Sequence, residues 1–223
     1  MVEPSATRGP GIKVGVLVSG GGTNLQAILD AIARRALDAE VVLVLSNNAN
    51  AGGLERARRA GVPTQVIDHR AFATRGAFDE ELVAALRSHG AEWVVLAGFM
   101  RILTPVLLDA FPSHVVNVHP ALLPSFPGAH AQAQALAYGV RFTGCTVHLV
   151  DSGTDTGPII AQAVVATEAA DTLETLTARI LVQEHALLPA VLQWIAEGRV
   201  VVQPGEGGGR AKVHVVPVCY PGA

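Results

Sequence analysis

The sequence predicts an α/β fold: a doubly wound, mostly parallel sheet with an antiparallel or mixed C-terminal extension. Three observations carry that prediction. Through the first half of the chain, short continuous apolar runs alternate with helix-periodic segments, the pattern of parallel strands covered on both faces. After about residue 140, two apolar runs, Thr146 to Val150 and Ile159 to Val165, follow one another with only a turn-rich loop between them. The chain has 223 residues, 50% hydrophobic and 16% charged, which suits one globular domain with a substantial core.

The elements follow in order. Lys13 to Val18 reads as a buried strand, and Asn24 to Arg35 sets Leu25, Ile28, Leu29 and Ile32 at helical spacing. Val41 to Leu45 is a second strand, Gly53 to Ala60 a helix and Val62 to Ile67 a third strand. Phe78 to Leu86 is helical, Trp93 to Ala97 a fourth strand and His114 to Val118 a fifth. Right-handed crossovers wind such units onto both faces of one sheet. Asp171-Thr172-Leu173-Glu174 has the form of a helix-start capping box. The helix it opens is expected to reach about Glu197, with Gly198 as its stop and a kink or break at Pro189. Gly205 to Gly209 reads as a flexible link and Lys212 to Val218 as an added strand. The expected organisation is a flexible N-terminus over 1–12, a domain over 13–200 and a tail over 201–223.

Composition narrows the function. A net charge of -3 gives no electrostatic footprint for nucleic acid. Cys145 and Cys219 make no disulfide framework and form no CxxC pair, the usage of reduced intracellular thiols. Met1 to Lys13 lacks a signal-peptide core, and no apolar run approaches the roughly 18–20 residues of a membrane helix. These features predict a cytoplasmic protein without nucleic-acid or membrane partners. The histidines show no metal-ligand spacing, so no metal site is expected; His130 and His148 are candidates to support a cleft.

Chemistry concentrates in a few segments. In Val115-Val116-Asn117-Val118-His119-Pro120, the period-two alternation of a strand sets Asn117 and His119 on one face. An amide that donates to a developing oxyanion beside an imidazole that moves a proton suits acyl-type transfer; a hydrogen-bonded strand end with a core histidine is the plainer reading. Ser19-Gly20-Gly21-Gly22-Thr23-Asn24 joins the first strand to the first helix and reads as a phosphate cradle or as a tight turn. It lacks the third glycine of the dinucleotide fingerprint and the Gly-Lys-Ser/Thr of a Walker A loop. Gly98 to Leu103 follows the fourth strand and would form either an apolar wall for a flat heterocycle or a core plug. Asp151 and Asp155 sit in the loop between the late strands, where a carboxylate near His119 would raise its pKa and a solvated turn aspartate would not. Glu184, on the late helix, is either a contact for ribose hydroxyls or an amine, or an exposed charge.

Taken in order, these segments resemble the phosphoribosylglycinamide formyltransferases. The resemblance is carried by Ser19 to Asn24, Ala97 to Leu103, Asn117 to Pro124, Gly144 to His148, Asp155 to Pro158 and Gln183-Glu184-His185, and it covers roughly Lys13 to Val200. It implies an enzyme of purine biosynthesis that moves a formyl group from 10-formyltetrahydrofolate to the glycinamide amine of 5-phosphoribosylglycinamide. It implies a catalytic trio of Asn117, His119 and Asp155. Gly22, Thr23, Asn24, Leu181, Val182, Gln183 and Glu184 correspond to the ribonucleotide site. Arg75, Met100, Arg101, Ile102, Leu103, Asn117, Asp151, Ser152, Gly153, Thr154 and Asp155 correspond to the folate site. The partners implied are small-molecule substrates, for a monomer or homodimer. Methionyl-tRNA formyltransferase, a hydrolytic deformylase and a non-catalytic folate-binding module are the rivals; the first two normally carry a further domain.

Overall fold

A seven-stranded sheet with the order β3-β2-β1-β4-β5-β6-β7 forms the centre of the molecule. The computed structural model describes residues 11–205 and 210–217. In chain order the elements are β1 (Ile12–Val18), α1 (Thr23–Ala33), β2 (Ala39–Ser46), α2 (Gly52–Arg59), β3 (Thr64–Val66), α3 (Arg75–Ser88), β4 (Trp93–Leu96), α4 (Pro105–Ala110) and β5 (Val115–His119). Then come α5 (Ala131–Tyr138), β6 (Phe142–Leu149), β7 (Ile159–Ala166), α6 (Leu173–Ala196), β8 (Val200–Gln203) and β9 (Lys212–Val215). The strands β1 to β5 pair in parallel, and β6 and β7 join antiparallel, so the doubly wound sheet with its antiparallel extension is present.

Strand alternation explains why the sheet is buried on both faces. Val14, Val16 and Val18 of β1 pack with Val116 and Val118 of β5 into the layer beneath α1, α2 and α6. Leu17, Val94, Leu96 and Val115 point the other way, onto Phe78, Leu82 and Leu86 of α3 and Leu107 of α4. With Val116 and Val118 committed to one layer, Asn117 and His119 emerge on the opposite face of β5.

Several boundaries differ from the sequence expectation. The first strand opens at Ile12, inside the segment expected to be flexible, because Ile12 N donates to Asp38 O where β1 begins to pair with β2. The third strand shrinks to Thr64–Val66. The capping box is made by Thr172 and Thr175; Asp171 instead accepts from Arg179, and Glu174 is exposed. No break occurs at Pro189. Leu188, Val191, Leu192 and Ile195 are all buried against the sheet, and that packing outweighs one lost backbone bond. Gly198, at φ 67°, ends the helix as expected. The tail forms a hairpin, β8 with β9, whose Val200, Val202, Val213 and Val215 pack against the main core. Residues 1–10, 206–209 and 218 of the predicted flexible and strand segments lie outside the described residues.

One glycine allows β6 and β7 to pair closely. A Cβ at Gly144 would stand 1.9 Å from the carbonyl oxygen of Ala163 on the paired strand. Gly144→Ala is therefore expected to push β6 and β7 apart and cost about 2–3 kcal/mol in denaturant unfolding. A variant as stable as the parent would contradict this packing.

Candidate active site

The sheet's winding reverses between β1 and β4, which lie side by side although α1, β2, α2, β3 and α3 separate them in sequence. The loops leaving their carboxyl ends diverge and open a crevice, the usual ligand position in such sheets. Ser19 stitches the crevice floor. Its N–H donates to Gly98 O (3.1 Å), its hydroxyl donates to Asn47 Oδ1 (2.7 Å), and the same oxygen accepts from Met100 N (2.8 Å). Gly22 takes φ 70°, and a Cβ there would meet Gly53 Cα at 2.4 Å, so α2 packs directly under the turn. The first turn of α1 has no side-chain cap, which leaves its N–H groups open to an acceptor. Beside it lies a hollow of about 300 Å³ that includes Thr23, Arg34, Arg56 and His185.

At the neighbouring strand, antiparallel pairing sets Asn117 opposite His148 and His119 opposite Thr146. His148 Nδ1 lies 2.9 Å from Leu149 O; a carbonyl only accepts, so that nitrogen carries the hydrogen. His148 Nε2 therefore accepts from Asn117 Nδ2 at 3.1 Å. Asn117 Nδ2 also reaches Asp155 Oδ1 at 3.5 Å. The other carboxylate oxygen, Oδ2, accepts from Gly128 N (2.7 Å) and lies 3.3 Å from His119 Nδ1. His119 Nε2 donates to Phe126 O at 2.8 Å, by the same carbonyl argument. Asp155 sits at φ 53°, a costly conformation for a residue with a side chain, kept by these surrounding contacts.

The electrostatics of this cluster differ from expectation in one respect. Burial would raise Asp155, but the nearby His148 ring, the Gly128 N–H and His119 outweigh it and hold the carboxyl below its ordinary value. His119 was expected to be raised by Asp155. Instead its pKa is lowered: the ring is only 4% exposed, and desolvation outweighs the carboxylate. The side chain of Asn117 and the carboxylate of Asp155 line a cleft of about 120 Å³, with His148 beside them and His119 behind.

A second buried pair flanks the glycine turn. Glu184 of α6 is 4% exposed and its Oε2 accepts from Asn24 Nδ2 at 2.7 Å, so the exposed-charge reading of Glu184 is overturned. Burial pushes its pKa up to about 7 even though the Asn24 bond opposes this. Asn24 Oδ1 is buried without a hydrogen-bond partner among the described residues, an acceptor suited to a donor from a ligand.

Comparison with known proteins bears on this geometry. Residues 12–192 match the family described as formyl transferase. The phosphoribosylglycinamide formyltransferase of Escherichia coli (strain K12) is 46% identical over 184 residues, 82% of this chain and 87% of that protein. The Bacillus subtilis (strain 168) protein of the same name is 39% identical, over 81% of this chain and 93% of its own length. This chain belongs to the phosphoribosylglycinamide formyltransferase family. The crystal structure of glycinamide ribonucleotide transformylase 1 from Symbiobacterium toebii shares its fold with a TM-score of 0.89 at 47% identity, covering 94% of this chain and 96% of that one. The trifunctional purine biosynthetic protein adenosine-3 of Gallus gallus is 46% identical over 197 residues, and the chain spans only 19% of that longer relative.

Against the formyltransferase pattern, the structure sorts the sequence-derived residues into three groups. Asn117, His119 and Asp155 meet in one cluster around the Asp155 carboxylate. Arg101, Ile102, Leu103, Asp151, Gly153 and Thr154 line the same cleft. Met100 is 75% exposed, and Ser152 and Arg75 are exposed; none of the three lines the cleft. Phe99 packs into the core and also lines the cleft, so the Gly98-to-Leu103 segment is both plug and wall. Asp151 accepts from Gly153 N and Thr156 Oγ1, which shapes the loop from within. On α6 Glu184 faces the glycine turn, Leu181 and Gln183 are half-buried, and Val182 is 63% exposed. Asn24 turns its side chain toward Glu184, leaving its backbone at the helix start. The roles of Gly128 N and Phe126 O escape sequence reading, although the turn chemistry of Ser125-Phe126-Pro127-Gly128 marks a loop there. His148 contacts the cluster; His130, exposed at the start of α5, does not. Among the described residues, no three His, Cys, Asp or Glu side chains cluster to hold a metal ion, and no helix is long and apolar enough to cross a membrane.

The raised Glu184 predicts a pH signature. Its ordinary value is 4.5, so between about 4.5 and 7 the folded chain keeps a proton that the unfolded chain releases. Its contribution to stability is thus lost as pH climbs, by about 3 kcal/mol at the upper end. His119, lowered by burial, runs the opposite way, so the comparison must be with Glu184→Gln. Unfolding free energies at pH 5 and pH 8 should show the variant gaining on the parent as pH rises; an equal difference at both would contradict the burial argument.

Proposed function

We propose that the chain transfers the formyl group of 10-formyltetrahydrofolate to the glycinamide amine of 5-phosphoribosylglycinamide, by direct attack of that amine. The observation that carries this reading is the convergence of Asn117, Asp155 and His119, the first two lining one cleft and His119 backing Asp155, in a member of the formyltransferase family. The folate is a substrate, consumed at each turnover, and it supplies an electrophilic formyl carbon. Ile102 and Leu103 give the cleft an apolar wall, Arg101 adds a positive group, and the Asp151–Asp155 loop closes the opposite side. Arg75, Met100 and Ser152 belong to its rim. The phosphate rests on the N–H groups of Gly22, Thr23 and Asn24 at the α1 start, where the helix dipole favours an anion. The segment Leu181 to Glu184 borders the ribose and amine, with Glu184 as its principal contact.

Each member of the trio has a separate task. Asn117 keeps one Nδ2 hydrogen on His148 and turns the other, which makes only a 3.5 Å contact with Asp155, to the formyl oxygen as negative charge builds there, a contribution of about 3 kcal/mol in comparable sites. Asp155 faces the cleft as a carboxylate with His119 Nδ1 behind it. The pair takes the proton released by the attacking amine and returns it to the departing folate nitrogen, work typically worth about 10²–10⁴ in rate. The two groups titrate as a unit. His119, biased toward the neutral ring by burial, is suited to receive the proton first and deliver it second. The unit that does this spans residues 12–200 with the hairpin packed onto it, and it works in the cytoplasm as a monomer or homodimer.

The test is formyl transfer to glycinamide ribonucleotide, with tRNA and water as control acceptors. Turnover with the ribonucleotide alone is expected; preference for either control would overturn the reading. Asn117→Ala should lower kcat by about 10²–10³ with ribonucleotide affinity nearly unchanged, and near-parental turnover would remove its role. Asp155→Asn should lower the His119 pKa further, read from the imidazole resonances by NMR.

A further inference from the structure

The C-terminal hairpin makes one contact that the catalytic account leaves unused. Arg210, just before β9, donates from Nη2 to the carbonyl oxygen of Gly157 at 2.5 Å. Gly157 lies two residues after Asp155, in the loop joining β6 to β7. It is wedged: a Cβ there would stand 1.7 Å from Leu149 O, and Pro158 O accepts from Leu149 N at 2.9 Å. The early part of the loop is braced from within by Asp151, and its later part receives Arg210 from a separate element. The hairpin that carries Arg210 is itself seated. Its valines pack on the main core, Val216 N donates to Arg199 O at 2.9 Å, Arg199 Nε donates to Val216 O at 2.7 Å, and the Arg199 guanidinium lies over the Trp194 ring of α6.

We propose that Arg210 is a positioning residue: anchored on the hairpin, it clamps the Gly157 carbonyl and so sets Asp155 against Asn117 and His119. The inference rests on the catalytic role proposed for that trio. Asp155 holds a left-handed backbone, a conformation that relaxes unless neighbouring contacts impose it. Its contacts with the other two members of the trio, 3.5 Å to Asn117 and 3.3 Å to His119, are long beside the 2.7 Å bond from Gly128 N, so a small shift of the loop backbone breaks them first. The ribonucleotide side, built on the β1 turn and α6, does not share this tether.

The experiment compares the full-length parent with Arg210→Met, which keeps the apolar stem, and Arg210→Lys, which keeps a cationic donor. Arg210→Met is expected to lower kcat for formyl transfer about tenfold, as small misplacements of catalytic groups do, with KM for the ribonucleotide unchanged. It should also lower the His119 pKa read by NMR, because the carboxylate that raises it has moved. Arg210→Lys should restore most of both. Parental kcat and His119 titration in Arg210→Met would overturn the proposal. So would a lower kcat with an unchanged His119 titration and no rescue by lysine, since that marks a purely structural loss. An inactive parent, or an Asp155→Asn variant as active as the parent, would instead bring down the catalytic reading on which this rests.

Discussion

The carboxylate of Asp155 is the group on which the site's geometry depends. One oxygen meets the amide of Asn117 and the other meets both the Gly128 N–H and the His119 ring, so the end of β5 and the loop after it are tied to one side chain. Asn117 and His119 share β5 and Gly128 follows in the next loop, whereas Asp155 comes from the distant loop between β6 and β7. The antiparallel turn from β5 through β6 to β7 brings them together, since it returns the chain to the carboxyl end of β5 with a loop long enough to fold over it. The parallel half of the sheet contributes the other wall, through the diverging loops after β1 and β4.

Burial decides which charges this arrangement can hold. Asp155 stays ionised because several donors and histidine rings compensate its desolvation. His119, with one carboxylate partner and almost no solvent, is biased toward the neutral ring. Glu184, with the Asn24 amide as its hydrogen-bond donor, is pushed up to about 7 by burial. The site therefore keeps two acidic groups of opposite character on its two sides, one poised to stay charged and one to exchange its proton near neutrality. A ribonucleotide that brought hydrogen-bond donors to Glu184 would favour its charged form, as any donor to a carboxylate does.

Much of this was legible in the sequence, for identifiable reasons. Continuous valine- and leucine-rich runs between helical segments mark a sheet buried on both faces, and the two late runs without a helix mark the antiparallel extension. The alternation of Val116, Asn117, Val118 and His119 places the polar pair on one face. What escaped depended on tertiary packing. Pro189 does not break α6 because the sheet holds the helix, and Thr175 completes the capping box because Asp171 is engaged by Arg179. The sign of the His119 shift is not legible in the sequence, because proximity to a carboxylate is visible in a motif, whereas the depth of burial is not. The inward turn of Asn24 is likewise a product of α6 packing across the glycine turn, and the seated hairpin follows from valines whose partners lie far upstream.

The central claim is that Asn117 and Asp155 act as one unit on the reacting carbonyl. A double-mutant cycle on kcat tests it directly, with Asn117→Ala, Asp155→Asn and the combined variant. The account predicts strong non-additivity, the double variant losing little more than the worse single one. Losses that simply multiply, as for two independent groups, would contradict it.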